Sequence, residues 1–236
     1  MKLGRSVKKC LKNILSKIKG EDISCLPDSL LDQVDIISFD VFDTLILRDV
    51  KNPTDVFDLV ETEFNNESEE GKIDSFKMHR IDAERQARIK CGKKDVTFDE
   101  IYQELTGVYS ESVLVRLRQI EIEKELFVCK ANPAMMDFYQ RMIKTGKRII
   151  IISDMYLSAN TIGRILNNCG YDGYEKLYVS SEYRCMKRYE ELFEVVKNDC
   201  AEGNGKRILH IGDHPIADDK MAKKAGYRSF LYRRGK

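Results

Sequence analysis

The stretch ISFDVFDTLILR (37–48) carries an apolar run, Ile36, Ile37 and Phe39, into the carboxylate of Asp40, with Asp43 and Thr44 just beyond. A charge delivered to the end of a buried run costs free energy unless a metal, a cation or hydrogen-bond donors receive it. The same arrangement recurs along the chain. KRIIIIS (147–153) ends in Ser153 and Asp154, and KLYVS (176–180) ends in Ser180 and Ser181, with Lys187 following. KRILHIG (206–212) opens onto GDHPIADD (212–219), which supplies Asp213 and Asp218. A carboxylate nucleophile, hydroxyls, a lysine and further carboxylates are the parts that phosphoryl transfer requires. Fixed positive charge and hydrogen-bond donors stabilise the phosphoryl oxygens. Two or three carboxylates can hold one Mg²⁺ that keeps most of its waters. A carboxylate beside the metal can form an aspartyl-phosphate and so divide the transfer into two steps.

For these residues to meet, the apolar runs must lie side by side. From residue 132 onward they alternate with helical segments: 133–145 with Asn132 capping and Gly146 closing it, 159–169 ended by Gly170, 187–199, and 218–225 ended by Gly226. Apolar strands separated by helices describe a parallel sheet covered on both faces. In such sheets ligands bind at the carboxyl ends of the strands, where the strand order reverses. A first strand at about 34–40 is followed by a different texture. Most of 53–130 reads as helix, with Pro53 after Asn52 and a capping box formed by Thr97 and Glu100. The expected organisation is an α/β core at 23–49 and 135–236, interrupted by a helical insertion at 50–134.

Bulk composition bounds the function class. The 236 residues carry a net charge of +1, with 33% charged and 42% hydrophobic residues, which suits an ordinary folded protein and gives no argument for nucleic acid. The seven Cys form no CxxC pair and read as reduced thiols of a cytoplasmic protein. Charge is uneven. Lys2, Arg5, Lys8, Lys9, Lys12, Lys17 and Lys19 crowd a segment without acids, while Leu3, Val7, Leu11, Ile14 and Ile18 recur at helical spacing. Residues 1–22 are therefore expected to hold a basic amphipathic helix that either packs on protein or touches an anionic membrane surface peripherally through residues 2–19.

The four strand ends resemble, in order, the four motifs of the haloacid dehalogenase (HAD) superfamily. FDVFDTL is similar to the first, IIIISD to the second, Lys187 to the third and GDHPIADD to the fourth. The resemblance implies a Rossmann-like five-stranded parallel sheet, with the helical insertion as a C1 cap closing over the site. It implies Asp40 as nucleophile and Mg²⁺ ligand, Ser153 as phosphoryl binder, Lys187 as neutralising cation and Asp213 as metal ligand. Asp218 would be a direct or more distant ligand, and the backbone carbonyl of Phe42 a further one. Thr44, Asp154, Arg48 and His214 are the remaining candidates for contact with substrate. In the cap, Arg80, Glu84 and Arg85 could also greet an anion, or form a solvated face.

One position departs from the pattern. The family's phosphatases place an acid two residues after the nucleophile, where this chain has Phe42. Asp43 could supply the missing acid, or serve as a turn residue bonding nearby amides. The resemblance thus favours a Mg²⁺-dependent phosphatase of small phosphorylated metabolites, a sugar or polyol phosphate for choice. Two rivals stand beside it: a non-catalytic module that binds a phosphorylated ligand or acts as a scaffold, and a 2-haloacid dehalogenase, which needs neither that acid nor a metal.

Overall fold

The computed structural model describes residues 20–67, 71–200 and 207–234. The basic helix expected at 2–19 lies outside the described residues.

Five strands, β1 (Ile36–Phe39), β4 (Arg148–Ser153), β5 (Lys176–Val179), β6 (Ile208–Gly212) and β7 (Arg228–Leu231), form one sheet in the order β5-β4-β1-β6-β7. Every pairing is parallel, with Ile37 opposite both Ile149 and Leu209. The runs of Ile that the sequence shows are buried on both faces, as a sheet covered by helices requires. On one face lie α5 (Pro133–Lys144) and α6 (Ala159–Asn168), whose Phe138, Tyr139, Ile162 and Ile165 share a core with Ile37, Phe39 and Ile151. On the other, α7 (Glu191–Cys200) packs Leu192, Phe193 and Val196 against Ile36, Ile150 and Ile152. The order reverses at β1, which is central and has neighbours connected in opposite directions. Asp40 therefore emerges at the switch point, where a crevice opens between the loops.

The insertion is helical, as expected: α1 (Val56–Glu67), α2 (Phe76–Cys91), α3 (Phe98–Gln103) and α4 (Glu111–Val128). Thr97 and Glu100 form the anticipated reciprocal cap, Thr97 N–H donating to Glu100 Oε2 at 2.9 Å and Glu100 N–H to Thr97 Oγ1 at 3.2 Å. The sequence did not reveal what joins cap to core. β2 (Ile46–Arg48) and β3 (Cys129–Ala131) run antiparallel, Ile46 opposite Ala131 and Arg48 opposite Cys129, so the two linkers are zipped into one ribbon. Three-residue strands are too short to leave a periodic signal.

Local differences from the expected elements have local causes. The segment expected as one helix over 187–199 breaks at Glu190, which takes φ 72°; a 3₁₀ turn (Lys187–Tyr189) precedes it and α7 follows. The expected helix at 218–225 begins earlier, as a π-helical turn over Pro215–Met221.

Candidate active site

The polar residues at the strand ends converge. Lys187 Nζ, 2% exposed, donates to Asp40 Oδ1 at 2.5 Å and to Asp218 Oδ1 at 2.6 Å, crossing from the loop after β5 to the ends of β1 and β6. One ligand atom from each of Asp40, Asp213 and Asp218 lies within 4.8 Å of the others. Asp218 reaches this position because its turn folds back over Gly212. A Cβ on Gly212 would stand 2.5 Å from Asp218 Cγ, so only glycine fits. His214 closes the same turn: its N–H donates to Asp218 Oδ2 at 2.9 Å, and its Nδ1 accepts from Ile216 N–H (3.2 Å) and Ala217 N–H (3.1 Å). With Nδ1 accepting, the ring proton sits on Nε2.

Behind the carboxylates, His210 Nε2 lies 3.1 Å from Asp218 Oδ1, and its Nδ1 2.8 Å from Ser38 Oγ. His210 is fully buried, and burial holds it below the ordinary histidine range, so it is a neutral hydrogen-bonded core residue.

Burial and crowding set the protonation of the three acids. Burial, with Asp218 and Asp213 beside it, pushes Asp40 up to about 8 despite Lys187. Burial, then Asp218 and Asp43, raise Asp213 to about 6. For Asp218 burial works in the same direction but Lys187 and His210 outweigh it, so its carboxyl is held below the usual range. Burial likewise opposes the charge on Lys187, and Asp218, Asp40 and Asp154 overcome it, so its ammonium is retained. Asp40 and Asp218 share one cation, and Asp218 is the better placed to keep its charge because it also accepts the His214 N–H. Both Asp218 oxygens are thus engaged; no hydrogen bond from another described residue engages the second oxygen of Asp40 or the side chain of Asp213. A divalent cation among these acids would relieve their repulsion, and the donor set is all oxygen, as Mg²⁺ prefers.

The hydroxyls tell the same story. Ser153 Oγ and Thr44 Oγ1 are buried and have no hydrogen-bond partner among the described residues. An orphaned buried hydroxyl costs about 1–3 kcal/mol. Both stand at the strand-end edge of the sheet that carries the acid cluster, where the resemblance expects the phosphoryl group. Asp154 lines the cavity and accepts the Lys187 N–H at 2.9 Å, which fixes the loop that carries the lysine.

The loop after β1 is tightly wound. Asp43 sits in the left-handed region (φ 59°), its N–H donating to Ile46 O at 2.8 Å, and Ile46 N–H returns to Val41 O at 2.9 Å. Asn132 anchors the loop from below by donating Nδ2 to Thr44 O at 2.7 Å. Asp43 therefore does serve as a turn residue. Its side chain is exposed, yet close enough to Asp213 to raise that acid. Phe42 lines the cavity.

Arg48 is drawn elsewhere than expected. Its guanidinium donates to Glu125 Oε2 (3.0 Å) and Oε1 (3.4 Å) and stacks 4.0 Å over the Phe42 ring. Arg80, read as a candidate to face an anion, is 0% exposed and donates to both oxygens of the equally buried Glu121 at 3.0 and 2.9 Å. Tyr102 Oη donates to the same carboxylate at 2.8 Å. Glu84 bridges Arg80 and Arg88, and Arg85 pairs with Asp82 on the surface. These charges build the cap, and the cavity is reached instead by Arg88, Lys94 and Asp95. Asp95, 1% exposed, takes Arg88 Nη1 at 2.7 Å and the Ser180 hydroxyl, so it ties cap to core.

No family model matches the chain, and no curated protein matches it in sequence. Solved structures do match in shape. A 2-haloacid dehalogenase from Pseudomonas syringae pv. Tomato aligns at TM-score 0.60 and 16% identity over 83% of this chain and 85% of its own. YfnB of Bacillus subtilis, described as a HAD hydrolase and solved bound to magnesium, aligns at 0.58 and 17% over 84% and 87%. An L-2-haloacid dehalogenase from Xanthobacter autotrophicus aligns at 0.53 and 14% over 83% and 76%. At these identities the likeness is one of fold, and it extends across cap and core together. The chain has the fold of the haloacid dehalogenase-type hydrolases.

Proposed function

We propose that the protein is a Mg²⁺-dependent phosphatase that hydrolyses a small phosphorylated metabolite, a sugar or polyol phosphate, through an aspartyl-phosphate on Asp40. The observation that carries this reading is the charge balance. Asp40, Asp213 and Asp218 crowd within 4.8 Å against the single ammonium of Lys187, a surplus that a divalent cation matches. Asp40, Asp213 and the Phe42 carbonyl would hold Mg²⁺, with Asp218 adding its charge from behind. Bound there, the ion supplies Lewis-acid polarisation of the phosphoryl oxygens.

The residues of the chain do the rest. Asp40 attacks phosphorus as the bond to the leaving oxygen breaks, and water then attacks phosphorus to release Asp40 and inorganic phosphate. Lys187 neutralises charge on the phosphoryl group, and the hydroxyls of Ser153 and Thr44 donate to its oxygens. The leaving oxygen needs a proton, which falls to Asp43 in the absence of an acid at Phe42. General acid help of this kind is worth about 10²–10⁴ in rate.

Ester chemistry on Asp40 of the dehalogenase kind gains nothing from surplus negative charge beside the nucleophile, so the acid cluster favours the phosphatase. The test is phosphate release from sugar, polyol and aryl monophosphates, with Mg²⁺ and with chelator, beside Asp40→Asn. Turnover that needs Mg²⁺ and vanishes in the variant is expected. Halide release from a 2-haloacid that ignores chelator would overturn the reading, and ligand binding without turnover would make the protein a binding module. Asp43→Asn should slow alkyl phosphates, whose leaving oxygen must be protonated, more than aryl phosphates. An equal loss on both would remove Asp43 from the acid role.

A further inference from the structure

The cavity above Asp40, about 480 Å³, has two chemically different ends. Its floor is the acid cluster with Lys187. Its mouth is basic, and the bases come from two separate parts of the chain. Lys94 stands on the short cap loop after α2, where Gly92 turns the backbone at φ 67°, and Arg188 stands on the 3₁₀ turn beside Lys187. Both are exposed, and neither has an acidic partner within 4.0 Å among the described residues. Arg88, the third cation at this opening, differs, because Glu84 and Asp95 already hold it. Met186 and Tyr189 also line the cavity and offer it apolar surface.

Like charges gathered at one small opening repel each other. Several cap cations are paired, Arg80 with Glu121, Lys77 with Asp55 and Asp58, Arg116 with Glu67 and Lys124 with Glu63; Lys93, like Lys94, forms no ion pair among the described residues, but only Lys94 of the two lines the cavity. Two unneutralised cations from cap and core that face the same cavity are therefore suited to an anion between them. The transferred phosphoryl group cannot be that anion, since it must lie at Asp40.

We propose that Lys94 and Arg188 form a second anion subsite, so that the substrate is a small phosphate monoester bearing a further phosphate or carboxylate, its carbon skeleton lying along Met186 and Tyr189. This rests on the phosphatase reading and narrows its substrate class. Because one cation belongs to the cap and the other to the core, the second anion also bridges the two and favours the closed arrangement of the cap.

The experiment compares matched pairs at fixed, low ionic strength: phosphoglycerate with glycerol phosphate, and fructose bisphosphate with fructose monophosphate. The doubly functionalised member should show a kcat/KM at least about tenfold higher, since a charge-assisted hydrogen bond is worth roughly that much or more. The first pair reports a carboxylate, the second a phosphate. In Lys94→Met/Arg188→Met the preference should collapse toward parity, mostly through KM, while Lys94→Arg keeps it. A binding arm needs no turnover: calorimetry with Mg²⁺ should show butane-1,4-bisphosphonate binding more tightly than butylphosphonate, and the double variant should erase the difference. Turnover of both members of each pair at equal efficiency would overturn the subsite and leave the phosphatase standing. Phosphate release from none of the compounds would refute the phosphatase reading; the binding arm would then decide the subsite alone, and equal affinity for the two phosphonates would overturn it.

Discussion

Replacing Lys187 with Met tests the charge balance on which the site rests. The ammonium is 2% exposed and holds Asp40 at 2.5 Å and Asp218 at 2.6 Å. Removing one member of a buried ionic cluster leaves its partners uncompensated and costs about 3–5 kcal/mol. For a chain of this size each kcal/mol is worth about 2–4 °C, so a fall in Tm on the order of 10 °C is expected in chelator at pH 8.5. The loss should depend on pH in a defined direction. Asp40 has a folded-state pKa raised to about 8, so the metal-free fold binds a proton that the unfolded chain releases. Its contribution is full below the ordinary carboxylate range and is lost as pH rises through about 8. Asp218 is lowered, so its contribution is present above the ordinary range and is lost only in strong acid. At pH 5.5 Asp40 is therefore protonated, the surplus is smaller, and the penalty of Lys187→Met should shrink. Adding Mg²⁺ at pH 8.5 should restore much of the Tm, because the ion replaces the missing charge. Thermal melts at the two pH values, with and without Mg²⁺, measure all of this. A variant as stable as the parent at pH 8.5 in chelator would show that Lys187 does not neutralise these acids.

Other perturbations follow from the same geometry. Gly212→Ala should leave the sheet intact but displace Asp218, weakening Mg²⁺ binding by about 10–100-fold in calorimetric titration, the range found when a residue supporting a metal ligand is disturbed. The apparent Mg²⁺ affinity should climb between pH 6 and about 8 and level off above, as Asp213 and then Asp40 ionise; titrations in buffers of different ionisation enthalpy should show proton release on binding, and an affinity flat across that range would contradict the assigned ligands. In the cap, Arg80→Met should cost about 3–5 kcal/mol in urea denaturation by stranding Glu121, and the further change Glu121→Met should recover most of it.

The part of the site that was legible in sequence is the part carried by strand ends. An apolar run that stops on Asp40, Ser153 or the Gly212–Asp213 pair states both where the side chain goes and that something must meet it. Lys187 was harder, because Arg184 and Arg188 stand beside it. Burial separates the three: Lys187 turns inward to the acids, Arg184 pairs with Glu100 at 2.5 Å, and Arg188 reaches the mouth. The cap was legible as helices but not in its directions. Charged residues occur on every face of α2, and nothing near Arg80 shows that it points inward to Glu121, 41 residues further along. Lys94 carried no signal either, for it sits in a polar loop whose position over the cavity depends on tertiary docking: Asp95 to Ser180, Arg184 to Glu100, and Phe98 N–H to Tyr156 O at 3.0 Å.

Phe42 gains meaning from what it touches. The phosphatases that the first motif resembles carry an acid at this position. The Phe42 ring instead offers its face to Arg48, 4.0 Å away, and Arg48 is fixed in turn by Glu125 on α4. The contact joins the loop after β1, the ribbon linking cap to core and the long cap helix. Cation–π pairs of this kind contribute about 0.5–2 kcal/mol, more when desolvated, and Arg48 is largely buried. Asp43, one residue on, is the next acid of the same turn, left-handed in its backbone and exposed. Phe42 thus ties the cap to the loop that carries Asp40, and on the proposed reading the exposed Asp43 beside it is the residue that would supply the leaving-group proton.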